Sequence, residues 1–160
     1  MKLLAITLSL ILPIKANIAS SSDIYTNAAQ PATVLTEGQW LMQTIDSVSQ
    51  QYNVPAKVMR AIAWNESRYK WVVGSYGDLG YFQIIPSTYD YLSQKVSLSG
   101  NEREDNVRVA AYYLRYLYDK YGSWYKARFA YGRGHWRDSS TWTCMEQKFM
   151  RNFEKEMNRK

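Results

Sequence analysis

The chain has 160 residues, 46% hydrophobic and 21% charged, with a formal net charge of +6; that suffices for one domain with a genuine core plus a short extension, and no repeat or low-complexity tract divides it. His135 and Cys144 are the sole histidine and cysteine, so a zinc site would need carboxylates and an intramolecular disulfide is excluded. There is no G-x-S-x-G elbow, phosphate-cradling loop or dinucleotide fingerprint, and neither a metal nor a cofactor is expected.

Residues 1–19 read as an export signal, with Lys2 as charged start, Leu3 to Leu12 as a short apolar core, and Ala16 and Ala19 as candidate cleavage positions. The apolar run falls short of the ~20 residues that span a bilayer. Export to the periplasm or extracellular space is therefore expected, without a stable membrane span; a retained anchor is the alternative. Cys144 lies far from this boundary, which argues against a lipoprotein. Residues 20–35 are small and polar around Pro31 and suit a flexible lead. The folded domain is expected over 36–160.

Its first helix should begin near Thr36, with Leu41, Ile45 and Val48 on one stripe. Asn53 is a candidate N-cap for the second and Pro55 suits its first turn, after which Met59, Ile62 and Ala63 recur at helical spacing. Glu66 ends this helix on the same stripe as Ile62, so its carboxylate points where the apolar side chains point. Burial and the negative end of the helix dipole both disfavour its ionised form. A protonated carboxylic acid near neutral pH is what general-acid cleavage of a glycosidic bond requires. The bland alternative is a glutamate solvated where the helix frays.

No alternating strand pattern is convincing, and at most a small β-hairpin is expected between Val72 and Phe82. Further helices are predicted from Pro86, from about Asp105 to Tyr121 with Val107, Ala110, Ala111, Leu114 and Leu117 inward, and from Ser123 toward Tyr131, Gly122 being the stop between the last two. A final helix from about Ser140 would carry Trp142, Met145, Phe149, Phe153 and Met157 on one face, with Cys144 as an inert core thiol. His135 reads as a surface or packing residue. The fold class is mainly α.

Three blocks carry a resemblance: Glu66-Ser67 at a helix end; Gly80-Tyr81-Phe82-Gln83-Ile84-Ile85-Pro86-Ser87-Thr88; and Asn106 through Ala110 to Leu114, Tyr121-Gly122 and Ala130-Tyr131-Gly132-Arg133-Gly134. In this order they resemble the lytic transglycosylase family, lysozyme-like enzymes that cleave the glycan strands of bacterial peptidoglycan, and they cover the chain from about Trp40 to Trp136. The resemblance implies a lysozyme-like helical domain in which Glu66 is the single catalytic acid and base. It would cleave between N-acetylmuramic acid and N-acetylglucosamine and leave 1,6-anhydro ends. It also implies substrate-side positions at Ser67, Ser75, Gly80, Tyr81, Gln83 and Tyr131, the last orienting Glu66 through its hydroxyl or simply filling the core.

Three departures matter. The family's A-Y-N asparagine is Gly132 here. Tyr81-Phe82 replaces the common Leu-Met, which suits either sugar stacking or core filling. Asp78 precedes the glycine turn, where it either positions a water or bonds nearby backbone amides. Asp78 favours a muramidase of the same fold as the alternative, and Gly132 keeps a non-catalytic wall-binding module in view.

Residues 1–94 hold six basic and six acidic side chains and residues 95–160 fourteen and eight, so the positive excess lies in the second half. Such a surface fits nucleic acid or an anionic cell wall, and the export signal decides against nucleic acid. The run Lys148, Arg151, Lys155, Arg159 and Lys160 equally suits an ordinary solvated face. Small size without wall-binding repeats suits a dedicated role in opening local gaps, for a secretion or conjugation apparatus or a phage.

Overall fold

The computed structural model describes residues 34–159. The expected export signal, and all of the lead except Val34 and Leu35, lie outside the described residues. Leu35–Lys160 makes up one compact unit. Six helices are found among the described residues: α1 Glu37–Tyr52, α2 Ala56–Ser67, α3 Pro86–Ser93, α4 Glu102–Tyr121, α5 Trp124–Arg133 and α6 Cys144–Met157, with a 3-10 turn at Ser139–Thr141. Where at most a small hairpin is expected, two isolated antiparallel bridges are found, Val73 with Leu79 and Leu79 with Ile84.

The caps explain where the elements start. Thr36 and Gln39 form a reciprocal capping box that opens α1. Asn53 does not cap α2 as expected; it closes α1 in the left-handed conformation at φ 52°, a role its short polar side chain tolerates. Pro55 stands at the cap position of α2 instead, and its carbonyl accepts from the amides of Val58 and Met59. α4 begins three residues before the periodicity suggests, because the Asn101 side chain accepts from the amides of Arg103 and Glu104.

α6 departs most from expectation. Its capping box pairs Thr143 with Glu146, so the helix starts at Cys144, and Trp142 lies outside it. This sets the buried stripe to Glu146, Met150 and Phe153. Met145 is consequently 75% exposed, and Cys144, expected in the core, is exposed in the first turn. The amide of Thr143 and the Arg137 guanidinium hold the Glu146 carboxyl down to about 2, so the cap is anchored by a carboxylate rather than an acid.

α4 packs against α1, α3 and α5, while α2 packs against α1 and α6. Leu41 and Ile45 of α1, Met59 and Ile62 of α2, Leu114 of α4 and Phe129 of α5 meet in one fully buried core. Trp142 stacks on Phe129 with ring centroids 4.6 Å apart, closing the end of that core beside α6. The irregular segment between α2 and α3 carries the glycine turn and is tied to α4 through Asn106. No helix among the described residues is long and apolar enough to cross a membrane.

Candidate active site

The glycine turn is built from inside. Gly80 lies at φ 82°, and an added Cβ would stand 2.6 Å from the Asn106 side chain. That contact exists because Asn106, fully buried on α4, donates from Nδ2 to the Leu79 carbonyl at 3.0 Å and accepts at Oδ1 from the Phe82 amide at 3.2 Å. Gln83 turns its Nε2 back to the carbonyls of Gly80 and Val72 at 2.9 and 3.0 Å. Side chains and backbone bonds within the segment, such as Gly80 N–H to the Val72 carbonyl, together satisfy backbone polar groups of the turn, as a buried irregular segment requires.

Two residues of the expected substrate set serve this scaffold. Ser67 is buried, its hydroxyl lying 3.0 Å from the Ala63 carbonyl and 2.8 Å from that of Tyr81, so it ties the end of α2 to the turn. Tyr81 is fully buried in the core, and its hydroxyl donates to Glu37 at 2.7 Å beside Arg103. Burial first, and then the bond to Glu37, push that phenol up to about 12. Gly80 is buried beneath the turn, and Ser75 is exposed in the loop before it.

A cleft of about 590 Å³ opens in front of the turn, and Glu66, Asp78, Gln83 and Tyr131 line it together, with Gly132 at its wall. Ser67, Ser75, Gly80 and Tyr81 are not among its lining residues. Glu66 is the penultimate residue of α2 and its side chain is 22% exposed, the opening being toward this cleft. The Tyr131 hydroxyl does not orient Glu66; it donates to the Phe82 carbonyl at 2.9 Å. Burial and then the neighbouring Glu66 charge push the Tyr131 phenol well above its ordinary value, so it stays a neutral donor.

The group that meets Glu66 is Arg128, a residue the sequence reasoning missed. Its Nη2 lies 2.8 Å from Glu66 Oε1, and its side chain is completely buried. The approach is an ion pair by distance without the alignment of a hydrogen bond, and Nε and Nη1 have no acceptor among the described residues. Burial pushes the guanidinium below its ordinary value, an effect Glu66 opposes. The readable signal was a charge set inside the apolar block Ala127-Arg128-Phe129-Ala130.

Asp78 shares the cleft, but its carboxylate does not cap the turn: Oδ1 is buried without a hydrogen-bond partner among the described residues. Gly74 makes room for it, since a Cβ there would stand 2.8 Å from Asp78 Oδ2. Glu66 and Asp78 are the acids on the cleft, and no cluster of three or more His, Cys, Asp or Glu suited to a metal is found among the described residues. Chemically, the site offers a carboxyl that can pass a proton to a bound substrate, with a cation behind it to take up the charge left over.

The described residues thus form a mainly helical domain whose second helix delivers a half-buried glutamate to a cleft in front of a glycine turn. Residues 43–148 match the transglycosylase SLT domain, and the chain belongs to that family. The structure is similar to the lytic transglycosylase Slt of Pseudomonas aeruginosa, solved by X-ray as an inactive Glu-to-Gln mutant, with a TM-score of 0.61 at 18% identity over 72% of this chain. This chain spans 23% of the length of that one, and the likeness is one of fold. No curated protein matches the chain.

Proposed function

We propose that the protein is a peptidoglycan lytic transglycosylase in which Glu66 serves first as acid and then as base. The observation that carries this reading is the half-buried Glu66 carboxyl at the cleft, on the family's Glu-Ser position and against the family's glycine turn. As an acid, Glu66 gives its proton to the glycosidic oxygen between N-acetylmuramic acid and N-acetylglucosamine, and the bond to the anomeric carbon breaks. The carboxylate then takes the proton of the muramoyl 6-hydroxyl, whose oxygen bonds to its own anomeric carbon. Glu66 is thereby reprotonated, and the released strand ends in a 1,6-anhydro ring.

The other residues act around this step. Gln83 and Tyr131 line the cleft and brace the turn, so they hold sugar and scaffold together. Ser67 and Tyr81 contribute from behind the turn. The positive excess of the second half of the chain suits an anionic wall.

A muramidase is the second reading, favoured by the unpartnered Asp78 Oδ1 on the same cleft. An inverting hydrolase needs a base ~6.5–9.5 Å from the acid with room for water, and a retaining one a nucleophile at ~5–5.5 Å. Replacing Asp78 by Asn separates the two. Under the transglycosylase reading Asp78→Asn keeps turnover of purified peptidoglycan within about tenfold of wild type, whereas losing a general base costs about 10²–10⁴-fold. A loss of that size would assign the protein to the hydrolases.

A further inference from the structure

Arg128 is the largest fully buried side chain of the described residues. A guanidinium is seldom taken out of water without several acceptors, since burying a charge is costly unless it is paired and hydrogen-bonded. An arginine recruited for the fold alone collects backbone carbonyls or a bidentate carboxylate. Arg128 has neither. Its one charged partner is Glu66 at 2.8 Å, and its Nε and Nη1 find no acceptor among the described residues.

What holds it comes from the opposite side. The guanidinium carbon sits 3.8 Å from the centroid of the Phe149 ring of α6, over its face, a favourable arrangement for a desolvated cation. Phe149 reaches that place because Gly132 has no side chain: a Cβ there would stand 2.6 Å from Phe149 Cζ. Gly132 stands where the family pattern has asparagine, so the space that residue would fill is here occupied by an aromatic ring that seats a buried cation. Gly132, Phe149, Arg128 and Glu66 thus form one stack running from α6 to the cleft.

We infer that Arg128 is a positioning residue for the reaction: seated on Phe149 in the space left by Gly132, it fixes the Glu66 carboxyl at the cleft and holds the negative charge left there once the proton has passed to the glycosidic oxygen. The inference rests on the reading of Glu66 as acid and base. In the first step the Glu66 O–H bond breaks, its proton goes to the leaving oxygen, and the charge remaining faces Arg128. In the second step the proton of the muramoyl 6-hydroxyl returns to Glu66 and removes that charge. The cation therefore favours the donating step from a fully buried place behind the carboxyl, where preorganised charge is most effective.

The other groups facing this pair are Tyr131 and Arg133 on α5, Tyr113 on α4 and Asp78 in the loop; Glu146 on α6 is turned to Arg133 and Arg137, and Arg68 at the end of α2 lies over Trp64. Tyr131 and Tyr113 are held neutral by burial. None of these replaces Arg128 as the counter-charge at 2.8 Å.

The test is kcat and KM on purified peptidoglycan for Arg128→Met and Arg128→Lys, with thermal unfolding of each variant. Losing a preorganised counter-charge is expected to lower kcat in Arg128→Met by about 10²–10³-fold with KM little changed, while Arg128→Lys, which keeps the charge, recovers most of that loss. A folded Arg128→Met with kcat within about tenfold of wild type would overturn the inference, as would an Arg128→Lys as impaired as Arg128→Met. Should Arg128→Met not fold, Arg128→Lys answers alone: kcat within about tenfold of wild type at unchanged KM is expected, and a folded Arg128→Lys with a larger loss of kcat overturns the inference equally. Glu66→Gln keeps the two readings apart. If it retains turnover, the assignment of Glu66 fails; if it is inactive and the Arg128 tests are negative, only the role of Arg128 fails.

Discussion

Glu66→Gln is expected to bring cleavage of peptidoglycan below about a hundredth of wild type and also to weaken the fold. The amide keeps the shape of the acid and cannot give up a proton to the glycosidic oxygen, which accounts for the first effect. The second follows from Arg128. With Gln at position 66 the fully buried guanidinium loses its carboxylate at 2.8 Å, and breaking a buried pair by removing one partner costs about 3–5 kcal/mol. Glu66 is about a fifth open to solvent, which puts the expected loss near the lower end of that range. Read from the sequence alone, this substitution should leave the fold nearly intact; the buried arginine reverses that expectation. Turnover within tenfold of wild type would remove Glu66 from the chemistry, and unchanged thermal stability would mean that the pair is solvated rather than buried.

Gly80→Ala is expected to disable the protein through the turn. At φ 82° a side chain strains the backbone by roughly 1–2 kcal/mol. The new Cβ would also lie 2.6 Å from the Asn106 amide, and Asn106 is fully buried and cannot swing away. Displacing it leaves the Phe82 amide unpaired inside the protein, at about 1–3 kcal/mol, and takes from the Leu79 carbonyl one of its two donors, the Ile84 amide remaining. Phe82 also supplies the carbonyl that anchors Tyr131, so the wall of the cleft moves with the turn. Gly100→Ala is the control: its φ of 81° imposes similar strain, but nothing lies within 4 Å of the added Cβ. Equal stabilities for the two variants would show that strain alone, without the Asn106 contact, sets the cost.

Local signals made much of this legible beforehand. Stripes such as Leu41, Ile45 and Val48, the proline that opens α3 and the Gly122 stop all act within one or two helical turns, and the structure has them as expected. Glu66 was legible because its helical phase and the residues that follow it pointed to the same place. Where two local roles competed, the sequence was ambiguous. Asn53 suits a helix start and a left-handed helix end equally, and the chain uses it for the latter. The phase of α6 was decided by the Thr143–Glu146 box, which moved Met145 and Cys144 to the surface although their types suggested the core.

The site itself divides along the same line. A motif groups residues that serve one turn without saying which way each faces, so Ser67 and Tyr81 appeared beside Gln83 though they brace the turn from inside. Arg128 depends on contacts that no local pattern encodes: a carboxylate on α2, a ring on α6 and a missing Cβ on α5. Gly132 was visible as a departure from the family pattern, and its reason became visible only with Phe149 in place.

The most direct test of the central claim is the chemistry of the ends that the wild-type protein produces. Muropeptides released from purified peptidoglycan should be analysed by mass spectrometry before and after treatment with borohydride. If Glu66 works alone, with the muramoyl 6-hydroxyl as nucleophile, the ends are 1,6-anhydro-N-acetylmuramic acid, each lighter by one water than a hydrolytic product and unchanged by borohydride. Predominantly reducing ends, one water heavier and converted by borohydride to the alditol, would contradict the account and make water held near Asp78 the nucleophile.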